Sequence, residues 1–116
     1  MIESHRELLV WQRAIQLSIA IYQLTARFPR EEVYGLTSQL RRAGVSIESN
    51  IAEGYGRCSK GEYKQFLSIA RGSNLEAQTQ LVIARELRFA DPESIDTVEK
   101  VTIEIDKMLN TMLKKL

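Results

Sequence analysis

From Ile95 onward, Ile95, Val98, Thr102, Ile105, Leu109, Met112 and Leu116 recur at alternating steps of three and four. That spacing is the seam of a helix that buries one side against other helices. A strand cannot use it, because strand side chains change face at every residue. A helical period returns in three earlier segments. Val10, Ala14, Leu17, Ile21, Leu24 and Phe28 make one stripe, widened by Trp11, Ile15 and Tyr22. Leu36, Leu40, Ala43, Ile47, Ile51 and Gly54 make the next. Tyr63, Phe66, Leu67, Ala70, Asn74, Ala77, Leu81 and Ala84 make the third. No segment alternates like a strand and no long internal repeat is present, so four helices are expected.

Punctuation separates them. Ser4 with Glu7 has the spacing of a capping box before the first helix, and Phe28-Pro29 should close it. The second helix begins somewhere within Glu31 to Leu36, and Gly54 and Gly56 suit a left-handed cap at its end. Ser59 with Glu62 is a second capping box, opening the third helix. The connection is then so short that helices two and three must fold back as a hairpin. Asp91-Pro92 starts the fourth helix, with Glu93 and Asp96 near its positive end and Lys114 and Lys115 near its negative end. The expected fold is all-α: an antiparallel up-down-up-down four-helix bundle, one domain spanning residues 1–116.

Composition narrows the function. The net charge of +1 excludes a strongly basic nucleic-acid-coating protein, so any such binding must come from a local patch. Between Ser38 and Gly72, Arg41, Arg42, Arg57, Lys60, Lys64 and Arg71 face Glu48, Glu53 and Glu62, a local +3; residues 73–116 carry −2. Either a solvated helix face or a phosphate-attracting surface accounts for the patch. The one cysteine, Cys58, cannot form an internal disulfide or a zinc site alone, as fits a reducing cytoplasm. The N-terminal stretch carries acids early and lacks a long apolar run, so neither a signal peptide nor a membrane contact is expected.

Catalytic constellations are missing from the pattern. Carboxylate-bridged metal sites in helical bundles use Glu-x-x-His pairs, and the single histidine is His5. The glycines lack the lysine and strand of a phosphate loop, and nothing orients Cys58 against His5. No cofactor, no metal and no enzymatic activity are expected.

On the second helix, Gln39, Ser46, Asn50, Glu53 and Arg57 fall along one polar ridge beside the apolar stripe. Such a ridge either hydrogen-bonds the neighbouring helix or serves a subunit or ligand contact. In the hairpin, Glu53 stands level with Lys64 and Ser46 with Arg71, so cross-helix pairing is possible. Ile69, Ile83 and Leu87 on one flank of helix three, and Leu75, Val82 and Phe89 on another, exceed what one buried stripe needs and point to a homo-oligomer, with a thickened monomer core as the alternative. Val45 and Ala52, opposite the core side of helix two, point the same way.

Three stretches, GLTSQLRRAGVSIESNIAEGYGR at 35–57, VWQRAI at 10–15 with Phe28-Pro29, and FLSIARGSNLEAQTQL at 66–81, closely resemble bacterial four-helix bundle proteins encoded within intervening sequences of 23S rRNA genes, also called S23 ribosomal proteins. The resemblance covers nearly the whole chain. It implies a left-handed bundle, assembly as a homopentamer, no established enzymatic activity, and distant kinship to retroelement accessory proteins that bind nucleic acid and a reverse transcriptase. Glu48 stands where the family pattern usually has proline, and Gln78 where it usually has glutamate. Glu48 restores a backbone donor, should straighten the helix and adds negative charge near the ridge. The resulting expectation is an oligomer that binds RNA or other nucleic acid through Arg41, Arg42, Arg57, Lys60 and Lys64. The alternative is a scaffold for a protein partner.

Overall fold

The computed structural model describes residues 2–116. Four helices account for most of them: α1 (Leu9–Thr25), α2 (Leu36–Tyr55), α3 (Lys60–Glu86) and α4 (Pro92–Lys115), with no strand among the described residues. Each helix has two backbone neighbours, α1 beside α2 and α4, and α3 beside α2 and α4, so α1/α3 and α2/α4 lie across the diagonals of the bundle. The body measures 43 × 23 × 20 Å. Its long axis matches the 27 residues of α3 at about 1.5 Å per residue.

The apolar stripes meet in one core. Leu17, Ile21, Leu40, Ile47, Ile51, Leu67, Leu81, Ile95, Ile105 and Leu109 are fully enclosed. Burying a side chain of that size contributes about 1.5–3 kcal/mol, which is why the period of the stripes governs the fold. Met112 and Leu116, at the end of the α4 seam, are half-buried.

Several boundaries differ from the sequence expectation. The Ser4–Glu7 capping box forms, but it closes a short 3₁₀ turn, His5–Glu7, before the extended Leu8. Helix α1 then starts at Leu9 with no side-chain cap. It ends at Thr25, three residues before Phe28, where the Thr25 hydroxyl donates to the Ile21 carbonyl at 2.7 Å. At the start of α2 the Glu32 carboxylate accepts from the Leu36 amide at 2.9 Å, satisfying one free donor of the first turn. Ser59 accepts from the Glu62 amide, while its hydroxyl donates to the Glu62 carboxylate, so the reciprocal half of that capping box is replaced. Asp91 caps α4 through the Ser94 amide, with Pro92 in the first turn.

The expected left-handed cap after α2 is absent: Gly56 has φ −78°. Gly54 is needed for a different reason. A Cβ there would lie 2.7 Å from the Phe66 Cβ, so its bare backbone is what lets α2 and α3 approach. The left-handed residue is Arg88, at φ 59°, just beyond α3. The Phe89 amide there reaches back to the Ala84 carbonyl at 3.0 Å, a Schellman closure built without glycine. It turns Phe89 inward, where its ring packs at a tilt on Phe28, centroids 5.5 Å apart, so Phe89 belongs to the core end and not to an outer flank.

Candidate nucleic-acid interface

The α2–α3 contact places the polar ridge. Ser46 meets Ser73, their hydroxyls 2.9 Å apart, and Gly54 meets Phe66. Neither of the possible cross-helix pairs forms: Ser46 bonds Ser73 rather than Arg71, and Glu53 makes no ion pair with Lys64. Arg71 turns instead to Asp106 of α4, at 2.8 Å. That carboxylate, by hydrogen bond and by charge, holds the guanidinium above its ordinary value.

The ridge residues divide by role. The Asn50 amide donates to the Ser46 carbonyl at 2.7 Å and lies 3.0 Å from the Ser46 hydroxyl, so Asn50, Ser46 and Ser73 form a local network joining α2 to α3. Gln39 lines an open cleft of about 400 Å³ with Arg42, Ala43, Ser46 and Glu76. Glu53 is exposed. Arg57 covers the Phe66 ring, its guanidinium carbon 4.7 Å from the centroid, and lies 4.0 Å from Glu62.

The basic residues do not form one continuous surface. Arg41 is not outward-facing: its Nε donates to the Thr25 hydroxyl at 2.8 Å and its guanidinium stacks over the Tyr22 ring at 4.5 Å. It closes the α1–α2 seam. Arg42 points into the α2–α3 cleft, and Arg57, Lys60 and Lys64 gather at the hairpin end. Lys60, Lys64 and Arg42 are exposed, and their side chains make no hydrogen bond or ion pair among the described residues. Free cations of this kind are what a phosphate backbone engages.

Glu48 is not part of the ridge. It is 7% exposed, turned toward α1, where the Ser18 hydroxyl donates to its Oε2 at 2.5 Å. Burial, partly countered by Ser18 and by a backbone amide, raises its pKa to about 7. The expected extra negative charge beside the ridge is therefore absent from the surface. Helix α2 does run without interruption through this position.

Other buried polar groups line the inside of the bundle. The Asn74 amide donates to the Thr102 carbonyl at 2.7 Å, and the Gln78 amide to the Thr102 hydroxyl at 3.1 Å. Asn74 Oδ1, Gln80 Oε1 and Glu48 Oε1 are buried without a partner. At one end of the molecule His5 meets Trp11 edge-on at 5.1 Å and Tyr55 at 6.4 Å, and the Tyr55 hydroxyl donates to the Ile2 carbonyl. Periodicity could not have found these contacts, because they join residues from different elements. No group of three or more His, Cys, Asp or Glu side chains suited to a metal occurs among the described residues, and no described helix is long and apolar enough to cross a membrane. Cys58 is exposed and unpaired.

The fold is a four-helix all-α domain. Residues 6–111 match the 23S rRNA-intervening sequence protein family, and the chain belongs to it. Among solved structures, it is similar to a protein of unknown function from the S23 ribosomal protein family of Bacteroides thetaiotaomicron. The TM-score is 0.83 at 21% identity, covering 91% of this chain and 99% of that one. That similarity shows the fold. No curated protein matches.

Proposed function

We propose that this protein is a non-enzymatic, homo-oligomeric bundle that binds RNA or another nucleic acid through Arg42, Arg57, Lys60 and Lys64. The observation that carries the reading is the hairpin end, where Lys60 and Lys64 are exposed without an acidic partner beside the stacked Arg57. The helices are read as running up-down-up-down with a left-handed twist. Arg13 on Glu104, Arg27 on Asp91 and Ser46 on Ser73 support the alternating directions. A pentamer, in the cytoplasm, is the assembly this reading adopts. The exposed Ile69, Val82, Ile83 and Leu87 of α3 support a subunit contact.

The test is titration of structured RNA at several salt concentrations, with light scattering on the same sample. Affinity should fall steeply with salt, and replacing Lys60 and Lys64 by alanine should reduce the log–log slope by about one for each phosphate no longer neutralised. Absent or salt-insensitive binding at low ionic strength refutes it. The second reading, a scaffold for a protein partner, is favoured by the same apolar residues on α3. It predicts a monomer that binds no nucleic acid and assembles only with another protein.

A further inference from the structure

The α1–α2 seam carries one contact that its neighbours do not explain. At one end Arg41 clamps Tyr22 and Thr25; at the other Tyr55 holds the Ile2 carbonyl and meets His5 edge-on. Between them Gly44 packs directly on α1, where a Cβ would stand 2.9 Å from Ile21 Cδ1 and 3.4 Å from Ser18 Oγ. One turn further on, Glu48 inserts its carboxyl into this crossing. Its Oε2 takes the Ser18 hydroxyl, while Oε1 is buried with no partner.

From this geometry we infer that Glu48 and Ser18 form a proton-gated latch between α1 and α2, closed when the carboxyl is neutral and loosened when it ionises. Ser18 can donate or accept, so it stays bonded in both states. The unpartnered Oε1 does not: as part of a neutral carboxyl it costs little, but as half of a buried anion it demands water or a donor. Because Gly44 packs tightly on Ile21 and Ser18 and Oε1 is itself buried, water reaches Oε1 only if the helices part.

No neighbouring charge relieves that demand. Arg13 is the sole charged residue of α1, and it is held by Glu104 and Gln16. On α2, Arg41 is committed to α1, Arg42 lines the α2–α3 cleft and Glu53 is exposed. In the preceding turn, Glu7 is held by the amides of Glu3 and Ser4, and His5 packs edge-on against Trp11. On α3 and α4, Arg71 is paired with Asp106, and Arg85 with Asp96 and Glu99. Burial is the largest cause of the carboxyl's raised pKa, and no charged group is among the causes, which places the transition near neutrality.

Carboxyl-edited NMR gives the Glu48 titration directly, and amide hydrogen exchange at pH 6 and pH 8, corrected for intrinsic rates, reads the seam. A Glu48 midpoint near 7 is expected, together with at least tenfold loss of protection in α1 around Ser18 while α3 and α4 keep theirs. Glu48→Gln should abolish the pH dependence. If that variant fails to fold, Ser18→Ala, which removes a bond favouring the anion, should move the midpoint upward. A midpoint below 5, equal loss of protection in all four helices, or a transition that survives Glu48→Gln and disappears in His5→Gln overturns the latch.

Discussion

Gly54 and Gly72 both lie inside helices, where sequence alone treats them alike: each sacrifices about 1 kcal/mol of helix propensity relative to alanine. The structure gives them opposite signs. Gly72 is exposed, and a Cβ there meets nothing within 4 Å, so Gly72→Ala should stabilise by about 1 kcal/mol, raising Tm by about 4 °C. At Gly54 the added Cβ meets Phe66 Cβ at 2.7 Å, Tyr63 Cδ1 at 3.1 Å and the Tyr63 carbonyl at 3.3 Å. The first and last of these sit on or next to backbone and cannot rotate away, so α2 and α3 must separate. Overpacking of that kind costs about 1–3 kcal/mol, more than the propensity gain so close to the helix end returns. Gly54→Ala should therefore destabilise by about 1–2 kcal/mol. Urea unfolding followed by far-UV circular dichroism, with m unchanged, measures both. A Gly54→Ala protein as stable as the parent would refute the close approach of α2 and α3 at this point.

Arg88→Gly relieves a left-handed arginine and should stabilise by about 0.5–1 kcal/mol in the same assay. Gln78→Glu removes the donor facing the Thr102 hydroxyl, whose own proton goes to the Glu99 carbonyl, and should cost about 1–2 kcal/mol at pH 7. The Glu48 carboxyl holds its proton in the fold up to about pH 7 but releases it near 4.5 when unfolded. Its contribution is thus complete below 4.5, declines as pH rises between those values and is lost above 7, by up to about 3 kcal/mol. The difference in urea-derived stability between the parent and Glu48→Gln, followed from pH 4 to pH 8, should trace that decline. In RNA titrations, Arg42→Ala and the paired Lys60→Ala, Lys64→Ala change should weaken binding additively, and a strongly non-additive result would refute separate contacts.

Every position of the α4 seam from Ile95 to Leu109 is buried, as are all six stripe positions of α2, because burial depends on a period that the chain displays openly. The register between helices is another matter. The link from Tyr55 to Lys60 fixes that α2 and α3 are neighbours, but a slip of two residues moves one helix past the other by about 3 Å. That is enough to give Ser46 to Ser73 and leave Arg71 for Asp106. Arg41 and Glu48 depart from expectation for a related reason. Their azimuths put them beside the stripe, and only the position of α1 shows that Tyr22, Thr25 and Ser18 are waiting there. Arg88 gives no sequence signal because a left-handed closure is normally marked by glycine, and here the inward pull of Phe89 accompanies an arginine instead.

The charge count over residues 38–72 survives the structure, while its distribution does not. Setting aside Arg71, neutralised by Asp106, and Glu48, enclosed beside Ser18, leaves five cations and two acids, still +3. Yet Arg41 belongs to the α1 side, Arg42 to the cleft, and Arg57, Lys60 and Lys64 to the hairpin end. From Arg42 to the end of α2 at Tyr55 the axis rises about 20 Å, more than twice the screening length at physiological salt. At that separation the two groups do not act as one field. On the proposed nucleic-acid reading, a strand touching both would run from the Arg42 cleft along the α2–α3 groove past Ser46.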